Sequence, residues 1–502
     1  MSSNPPAEYP HRMAVIDLGS NSAKMVCYSA DHTGGYRPYH RESFRVRLDE
    51  HDHHVIREAP IARLLDVLRL FQNTIQYEGV SRVLAVATSA VRGAKNREDI
   101  ISRIRDETGI PFSVLSGREE ALYSYTGAAT HLNMPTSVFF DIGGGSVEIA
   151  AVRNHTVLYA ESFPLGALVL TRRFAGEGDL RGDAIGHMRE YVRDILPSPG
   201  DLGPLGDAVL VGVGGSLRAI SRYAQSYMGY PIKKIHNYTM DARLVQNVTT
   251  EILSQDVSTL ARMYEIGSGR ADIIKAGAIV VECMMERFGF DHIRVSSTGL
   301  REGVLAFAVR YPEFEPHEIS YYMVRELVRS PSWTPRIPHA AAGVVQAVCS
   351  SGLLSGGEDT ILRAAAANLE WLRTFRDADD FLYRMLDNTS ALSHREQLLY
   401  ALCLSHAKKP KRTRLLMRRY ESLLYPDDRR LIRRLSPILL LCDTAVTAGA
   451  SIHVTLGNDR VLLDVKENGR PLPGAIFRQR CRRVGEALGV ARVQLLTTPS
   501  MV

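Results

Sequence analysis

Residues 14–24 read AVIDLGSNSAK, and residues 138–148 read VFFDIGGGSVE. Each is an apolar run, then Asp, an aliphatic residue, Gly, two small residues and Ser. Aligned position by position, Asp17 matches Asp141, Ser22 matches Ser146 and Lys24 matches Glu148. An internal match of this kind predicts a duplicated half-domain. Glycine and small side chains let backbone approach a ligand and leave N–H groups pointing outward, a nest that takes phosphate oxygens. The candidate phosphate-binding residues are Asp17, Gly19, Ser20, Asn21 and Ser22 in the first loop, and Gly143, Gly144, Gly145 and Ser146 in the second. Asp17 and Asp141, at the strand ends, can hold a hard cation or its waters. One such loop alone reads equally well as a tight hairpin; two, each after an apolar strand, point to a shared grip on a phosphate chain.

Outward from the repeat, short apolar runs alternate with amphipathic helical stretches from residue 13 to about 310. The spacing predicts strands at 13–16, 83–87, 138–140, 149–152, 209–213 and 293–296. It predicts helices at 60–77, 97–108, 119–131, 184–195, 216–227 and 272–287. This alternation is that of an α/β fold. Two further turns fit the same chemistry. In VLVGVGGSLRAIS (209–221), Gly214, Gly215 and Ser216 can aim a helix N-terminus at another phosphate or a ribose, or form a plain strand–helix turn. In VSSTGLREG (295–303), Arg301 can reach a phosphate or make a surface salt bridge. Lys24 can neutralise phosphate or stay solvated.

The pattern changes after residue 311. SPSWTPRIP (330–338) reads as a linker or sharp corner, 311–447 as helical, and 448–502 as a small α+β unit with a hairpin, a basic helix and a last strand. The expected divisions are a tail at 1–12, half-domains at 13–131 and 132–310, the helical region and the C-terminal unit. From Lys408 to Arg434 there are eleven Lys or Arg against three acidic residues. This is a solvated face, a track for a long polyanion, or a dimer surface that builds one.

Bulk properties narrow the class. The 502 residues exceed a single core at roughly 150 residues per domain. A composition of 45% apolar and 23% charged residues excludes disordered and fibrous classes. A net charge of +6 only permits an anionic partner. Six scattered cysteines without a CxxC pair argue against a zinc site or disulfide framework. No stretch reaches the ~18 apolar residues of a membrane span, and no signal peptide is visible, so a cytoplasmic enzyme is expected.

The pair DLGSNS and DIGGGSVE, with ATSAVR (87–92) and SGREEA (116–121) between them, resembles the exopolyphosphatase / guanosine pentaphosphate phosphohydrolase family. That family belongs to the actin, sugar-kinase and heat-shock ATPase superfamily. The resemblance covers about 12–310, and the chain length is similar to the long exopolyphosphatase form, whose helical region resembles an HD-type domain. It implies two actin-like (ribonuclease-H-like) half-domains, a glutamate base, Mg²⁺ and a water nucleophile. The base maps to Glu120, the metal ligands to Asp141 and Glu148, and a phosphate-chain contact to Arg92. Independently, Ser116 and Glu119 have the spacing of a capping box, which gives Glu119 a structural task and leaves Glu120 free. The HD-like region lacks a His-Asp dyad; His339, His394 and His406 are scattered, so it reads as non-catalytic.

The expected activity is release of terminal orthophosphate from inorganic polyphosphate by a homodimer without nucleic-acid or membrane partners. Guanosine pentaphosphate hydrolysis, with guanosine penta- or tetraphosphate as ligand, uses the same motifs. A non-catalytic alarmone or polyphosphate sensor is opposed by Glu120, Asp141 and Glu148, and a sugar or acetate kinase by SGREEA. No GxxxxGK[ST] loop or GxSxG elbow is present, residues 17–19 are Asp-Leu-Gly rather than the Asp-x-Asp of a phosphoaspartate route, and HDHH (51–54) reads as a solvated turn.

Overall fold

The computed structural model describes residues 12–498, apart from 31–34, 49–50, 53, 177, 312, 314, 318, 330–336, 371, 373–390, 450, 457–459, 467–473 and 490–491. The expected tail and most of the proline corner lie outside the described residues. Contacts divide the chain into Met1–Ser332 and Trp333–Val502.

In the first unit, β1 (Arg12–Leu18), β2 (Ser22–Ala30) and β3 (Tyr36–Arg45) form an antiparallel meander. A small ladder of β4 (His51–Asp52) and β5 (Val55–Ile56) follows. The strands β6 (Arg82–Ala87) and β7 (Phe112–Val114) then add in parallel to β1, giving the order β3-β2-β1-β6-β7. The second half repeats this plan. A meander of β8 (Ser137–Ile142), β9 (Val147–Arg153) and β10 (Thr156–Phe163) is extended in parallel from β8 by β11 (Val209–Gly214) and β13 (His292–Val295). The strand β12 (Tyr238–Asp241) closes the edge antiparallel, so the order is β10-β9-β8-β11-β13-β12. This is the duplicated actin-like architecture. The register makes the repeat exact in its pairing: Asp17 faces Lys24 across β1–β2, and Asp141 faces Glu148 across β8–β9.

Central strands β1 and β8 are almost wholly buried, which is why their apolar runs read clearly in sequence. Edge strand β3 (YRPYHRESFR) alternates half-buried and exposed positions and carries Pro38, so its signal is polar and it escapes a hydrophobic reading. The short strands β7 and β12 and the strands β2 and β10 lie outside the expected set; in β2 and β10 apolar runs of four residues, 25–28 and 157–160, stand between polar ends.

Helices α1 (Glu58–Tyr77) and α3 (Arg97–Thr108) cover the first sheet, burying Leu64, Leu68, Phe71, Ile100 and Ile104, with the short α2 (Ser89–Arg92) after β6. On the second sheet, α5 (Ala167–Ala175), α6 (Asp183–Ile195), α7 (Gly215–Tyr227), α8 (Ala242–Ser254), α9 (Val257–Arg262) and α10 (Ile274–Phe288) build a separate core. A third core joins the halves. It contains α4 (Gly117–Ala129) and α11 (Leu300–Arg310), with Tyr123, Tyr125 and Phe307 packed beside residues of both sheets. The two helices cross backbone to backbone: a Cβ added to Gly127 would meet the Gly299 carbonyl, and one on Gly303 the Tyr123 carbonyl. The following helix α12 (Tyr321–Arg329) packs on α4 and β10, so the unit extends past the division expected at 310.

The second unit contains α13 (His339–Ser350), α14 (Gly356–Ala367), α15 (His394–Lys408), α16 (Pro410–Arg419) and α17 (Asp428–Ala448). The strands β14 (Ser451–Leu456), β15 (Arg460–Lys466) and β16 (Arg492–Thr498) form its sheet, with α18 (Gly474–Leu488). Here α13 packs on β14 and α17 on α18, so the α+β part expected at 448–502 shares one contact unit with the helices. Among its cations, Arg434 is tied to Glu358 at 3.0 Å and Arg395 to the buried Asp428, while Lys411, Arg414, Arg418, Arg429, Arg430 and Arg433 are exposed. His394 is buried at the start of α15.

Candidate active site

Each meander turns tightly after its first strand, closed by one bond: Gly19 N–H to Ser22 O at 3.1 Å, and Gly143 N–H to Ser146 O at 2.9 Å. In both loops other backbone groups take up the carbonyls. Val46 and Arg47 N–H donate to Asn21 O, and Leu48 N–H to Ser20 O at 2.8 Å. Ala167 N–H donates to Gly143 O, and Leu168 N–H to Gly144 O at 2.9 Å, because Gly166 lets the start of α5 touch the Gly144–Gly145 backbone. Acceptors are thus committed to the protein, and remaining N–H groups are left for a ligand, the arrangement an anion needs.

The loops face one cleft, whose space together with the open solvent at its mouth amounts to about 840 Å³. Asp17, Gly19, Ser20, Asn21, Ser22, Gly143, Gly144, Ser146, Gly214, Gly215, Ser216, Arg301, Asp141, Glu148 and Glu120 all line it. Gly145 instead packs under the first loop, where a Cβ would strike the hydroxyls of Ser20 and Ser89. Arg92, expected on the phosphate chain, does not line the cleft. It donates to Glu120 Oε2 at 2.7 Å, to Leu115 O at 2.9 Å and to Ser162 Oγ at 3.4 Å, because α2 aims it across at the start of α4.

The capping box forms: Glu119 N–H donates to Ser116 Oγ and Ser116 N–H to Glu119 Oε2. With Glu119 so held, Glu120 turns inward and is buried. Burial pushes its carboxyl up to about 7, opposed by Arg92 and aided by the charges of Asp141 and Asp17. Burial also raises Glu148 well above the usual range, reinforced by Glu120 and Asp141, although Ser162 Oγ donates to it at 2.7 Å. Asp141 is raised by burial while accepting from Ser124 Oγ at 2.9 Å.

Sequence reading missed much of the cationic wall. Besides Lys24 and Arg301, the cleft is lined by Arg218 and Arg270, whose guanidinium lies against Gly215. Burial, then the neighbouring charges of Arg301, Arg218 and Arg270, bring Lys24 down to about 8 against the pull of Asp17, 3.7 Å away. Burial and the charge of Arg218 bring Arg270 down to about 10. Glu302 braces this wall: it accepts from Gly299 N–H at 2.9 Å and Tyr28 Oη at 3.2 Å. Burial alone would raise its carboxyl, but Arg301 and the Gly299 bond hold it below the usual value. Arg218 lies two residues past the Gly214–Ser216 turn of the quoted segment 209–221, and Arg270 sits in a run of turns with no local motif; their convergence is what marks them. Thr88 and Ser89, also in the wall, lie inside the ATSAVR segment, of which only Arg92 was expected at the site.

The profile of the Ppx/GppA phosphatase family matches residues 26–311, more than half of the chain. The chain belongs to the Ppx/GppA phosphatase family. It is therefore a phosphohydrolase. The family part ends before the second unit. The chain is 31% identical over 310 residues to exopolyphosphatase 2 of Mycobacterium tuberculosis, covering 58% of this chain and 97% of that protein. It is 27% identical over 303 residues to exopolyphosphatase 1 of Mycobacterium bovis, covering 59% and 87%. Among solved structures it is similar to the Aquifex aeolicus Ppx/GppA family member, with a TM-score of 0.52, 25% identity, and 61% of this chain and 100% of that chain covered. A Cytophaga hutchinsonii exopolyphosphatase, at 24% identity and TM-score 0.56 over 60% of this chain and 98% of that one, shares the fold.

The Ppx/GppA residues 120, 141 and 148 make folding pH-sensitive. A carboxyl whose folded pKa lies above its unfolded value keeps a proton that the unfolded chain releases. Stability is then lost as pH rises through that window. For Glu120 the window runs from 4.5 to about 7. With a chelator present, the wild-type melting midpoint is expected to fall relative to that of Glu120→Gln across this window. A difference that stays constant with pH would refute the burial of an ionisable Glu120.

Proposed function

We propose that this chain is a Mg²⁺-dependent exopolyphosphatase that hydrolyses the terminal phosphoanhydride of inorganic polyphosphate. The observation carrying this reading is the cleft wall: two N–H-rich loops and four cations, with no aromatic side chain among the described lining residues to stack on a base. Guanosine pentaphosphate is the second reading, since the same loops suit its phosphates.

The donor set fits a divalent cation. Glu148 is buried and Asp141 half-buried beside Glu120; burial is the first cause that raises both carboxyls, and the charges of Glu120 and Asp141 add to it at Glu148. Among the described residues no group of three His, Cys, Asp or Glu side chains suits a metal. Magnesium typically takes one or two carboxylates and completes its shell with waters and substrate phosphate. Asp141 and Glu148 would hold it, and it would supply charge neutralisation on the transferring group.

The loop N–H groups and the hydroxyls of Ser20, Ser22 and Ser146 hold the terminal phosphate. Lys24, Arg218, Arg270 and Arg301 take the charge of the following phosphates. Glu120, oriented by Arg92, accepts a proton from water as the water oxygen bonds to phosphorus and the bridging P–O bond breaks. Orthophosphate and the shortened chain result. Positioning and charge stabilisation supply most of the acceleration.

Added Mg²⁺ is expected to raise the melting midpoint of the wild type at pH 8. In an Asp141→Asn/Glu148→Gln variant that rise is expected to vanish; a rise of equal size would remove those residues as ligands. The deciding assay compares Mg²⁺-dependent phosphate release from long polyphosphate, guanosine pentaphosphate and ATP. Faster release from guanosine pentaphosphate than from polyphosphate, at matched concentrations of terminal phosphate, would overturn the first reading. The exposed cations of the second unit suit a long polyanion, so KM for long chains is expected to rise with salt more steeply than KM for tripolyphosphate.

A further inference from the structure

Arg47 combines three properties that the proposed reaction does not use. Its backbone is left-handed, with φ of 49°, a region that disfavours a residue bearing a Cβ. Its N–H, with those of Val46 and Leu48, takes the carbonyls of Ser20 and Asn21 and so sets the first phosphate loop. Its side chain forms an ion pair with Asp272, which belongs to the opposite half-domain. Beside it, Arg45 Nη2 donates to Ser268 O at 2.9 Å, a second tie between the same two segments.

That run of turns also carries Arg270 into the cleft, two residues from Asp272. One short stretch of the first half-domain is therefore joined to the loop that grips phosphate and to the segment that brings in a cleft cation. The ion pair is made by one arm of each group. The Nε of Arg47 and the Oδ1 of Asp272 are buried without a partner among the described residues. Guanidinium and carboxylate favour a two-armed pairing, which a small rotation of one half-domain against the other can complete by aligning the second arm.

We propose that Arg47 is a positioning residue, a clasp that couples closure of the half-domains to the shape of the 19–22 loop. Strain in its backbone is sustained because both ends of the residue are held: the N–H by the loop, the guanidinium by Asp272. Closing the cleft tightens the clasp, and the clasp presses the loop N–H groups toward the terminal phosphate. This proposal rests on the reading of the cleft as a phosphate-chain site.

The test uses the full chain and tripolyphosphate. Arg47→Gly removes the side chain while suiting the left-handed backbone, so the fold is kept. Asp272→Asn removes the partner charge. Each variant is expected to lose about three- to tenfold in kcat/KM, the range of one partly exposed bridging ion pair plus its loop coupling. The double variant is expected to lose no more than the worse single one, because both remove the same contact. Losses that multiply in the double variant would overturn the clasp.

A second readout needs no hydrolysis. In a Glu120→Gln background, tripolyphosphate is expected to slow amide exchange at 19–22 and at 265–272 together, and Arg47→Gly to abolish the slowing at 19–22. Slowing that survives Arg47→Gly, or none at 265–272 in the parent, would also overturn it. Failure of the exopolyphosphatase reading shows separately, as a wild type that releases no phosphate from tripolyphosphate.

Discussion

Glu120→Gln is expected to lower kcat by about 10²–10⁴-fold, the share typical of a positioned general base, while the Kd for tripolyphosphate is expected to change little. The amide is the same size as the carboxylate and can keep a contact with Arg92, now 2.7 Å from Oε2. The cleft cations and loop N–H groups that hold phosphate are untouched. What the variant would lose is the lone pair proposed to receive the proton from water. The measurement is steady-state phosphate release beside equilibrium binding. Turnover at the wild-type rate would remove Glu120 from the chemistry. A matching loss in Glu119→Gln would also undermine the assignment, since Glu119 is spent on the cap of α4.

The second large effect is structural. Gly303→Val is expected to destabilise the first unit by about 3 kcal/mol or more, at the upper end for overpacking a tight contact. A Cβ at 303 falls on the carbonyl of Tyr123, a backbone atom that cannot rotate away, so α4 and α11 must separate. Separation also moves Glu120, at the start of α4, and Arg301, at the start of α11, so activity falls with stability. The melting midpoint is expected to drop by roughly 4 °C or more. Gly186→Ala is the control. Gly186 lies within α6 with open space around its would-be Cβ, and the change is expected to stabilise by about 1 kcal/mol through helix propensity. Equal midpoints for Gly303→Val and the wild type would contradict the crossing.

The repeat was legible because each loop follows a strand buried on both faces, where an unbroken apolar run is required. The same burial made the glycines conspicuous, since a tight turn at such a strand end has few alternatives. Glu120 was legible because a capping box leaves only one of two adjacent acids free. The edge strand β3 was not, because half of its residues face water and its pattern carries polar side chains and Pro38.

The sequence by itself determined the duplicated α/β plan, the two tight loops after β1 and β8 and the capping box that turns Glu120 inward at the start of α4. Local backbone chemistry suffices for those: burial, turn geometry and helix capping act within a dozen residues. Only the tertiary structure decided that Arg92 holds Glu120 rather than the cleft, that Arg218 and Arg270 join Lys24 and Arg301 in one wall, and that Gly127 and Gly303 bring the halves together. These depend on through-space distances between segments up to hundreds of residues apart, and neither periodicity nor spacing along a chain encodes such distances.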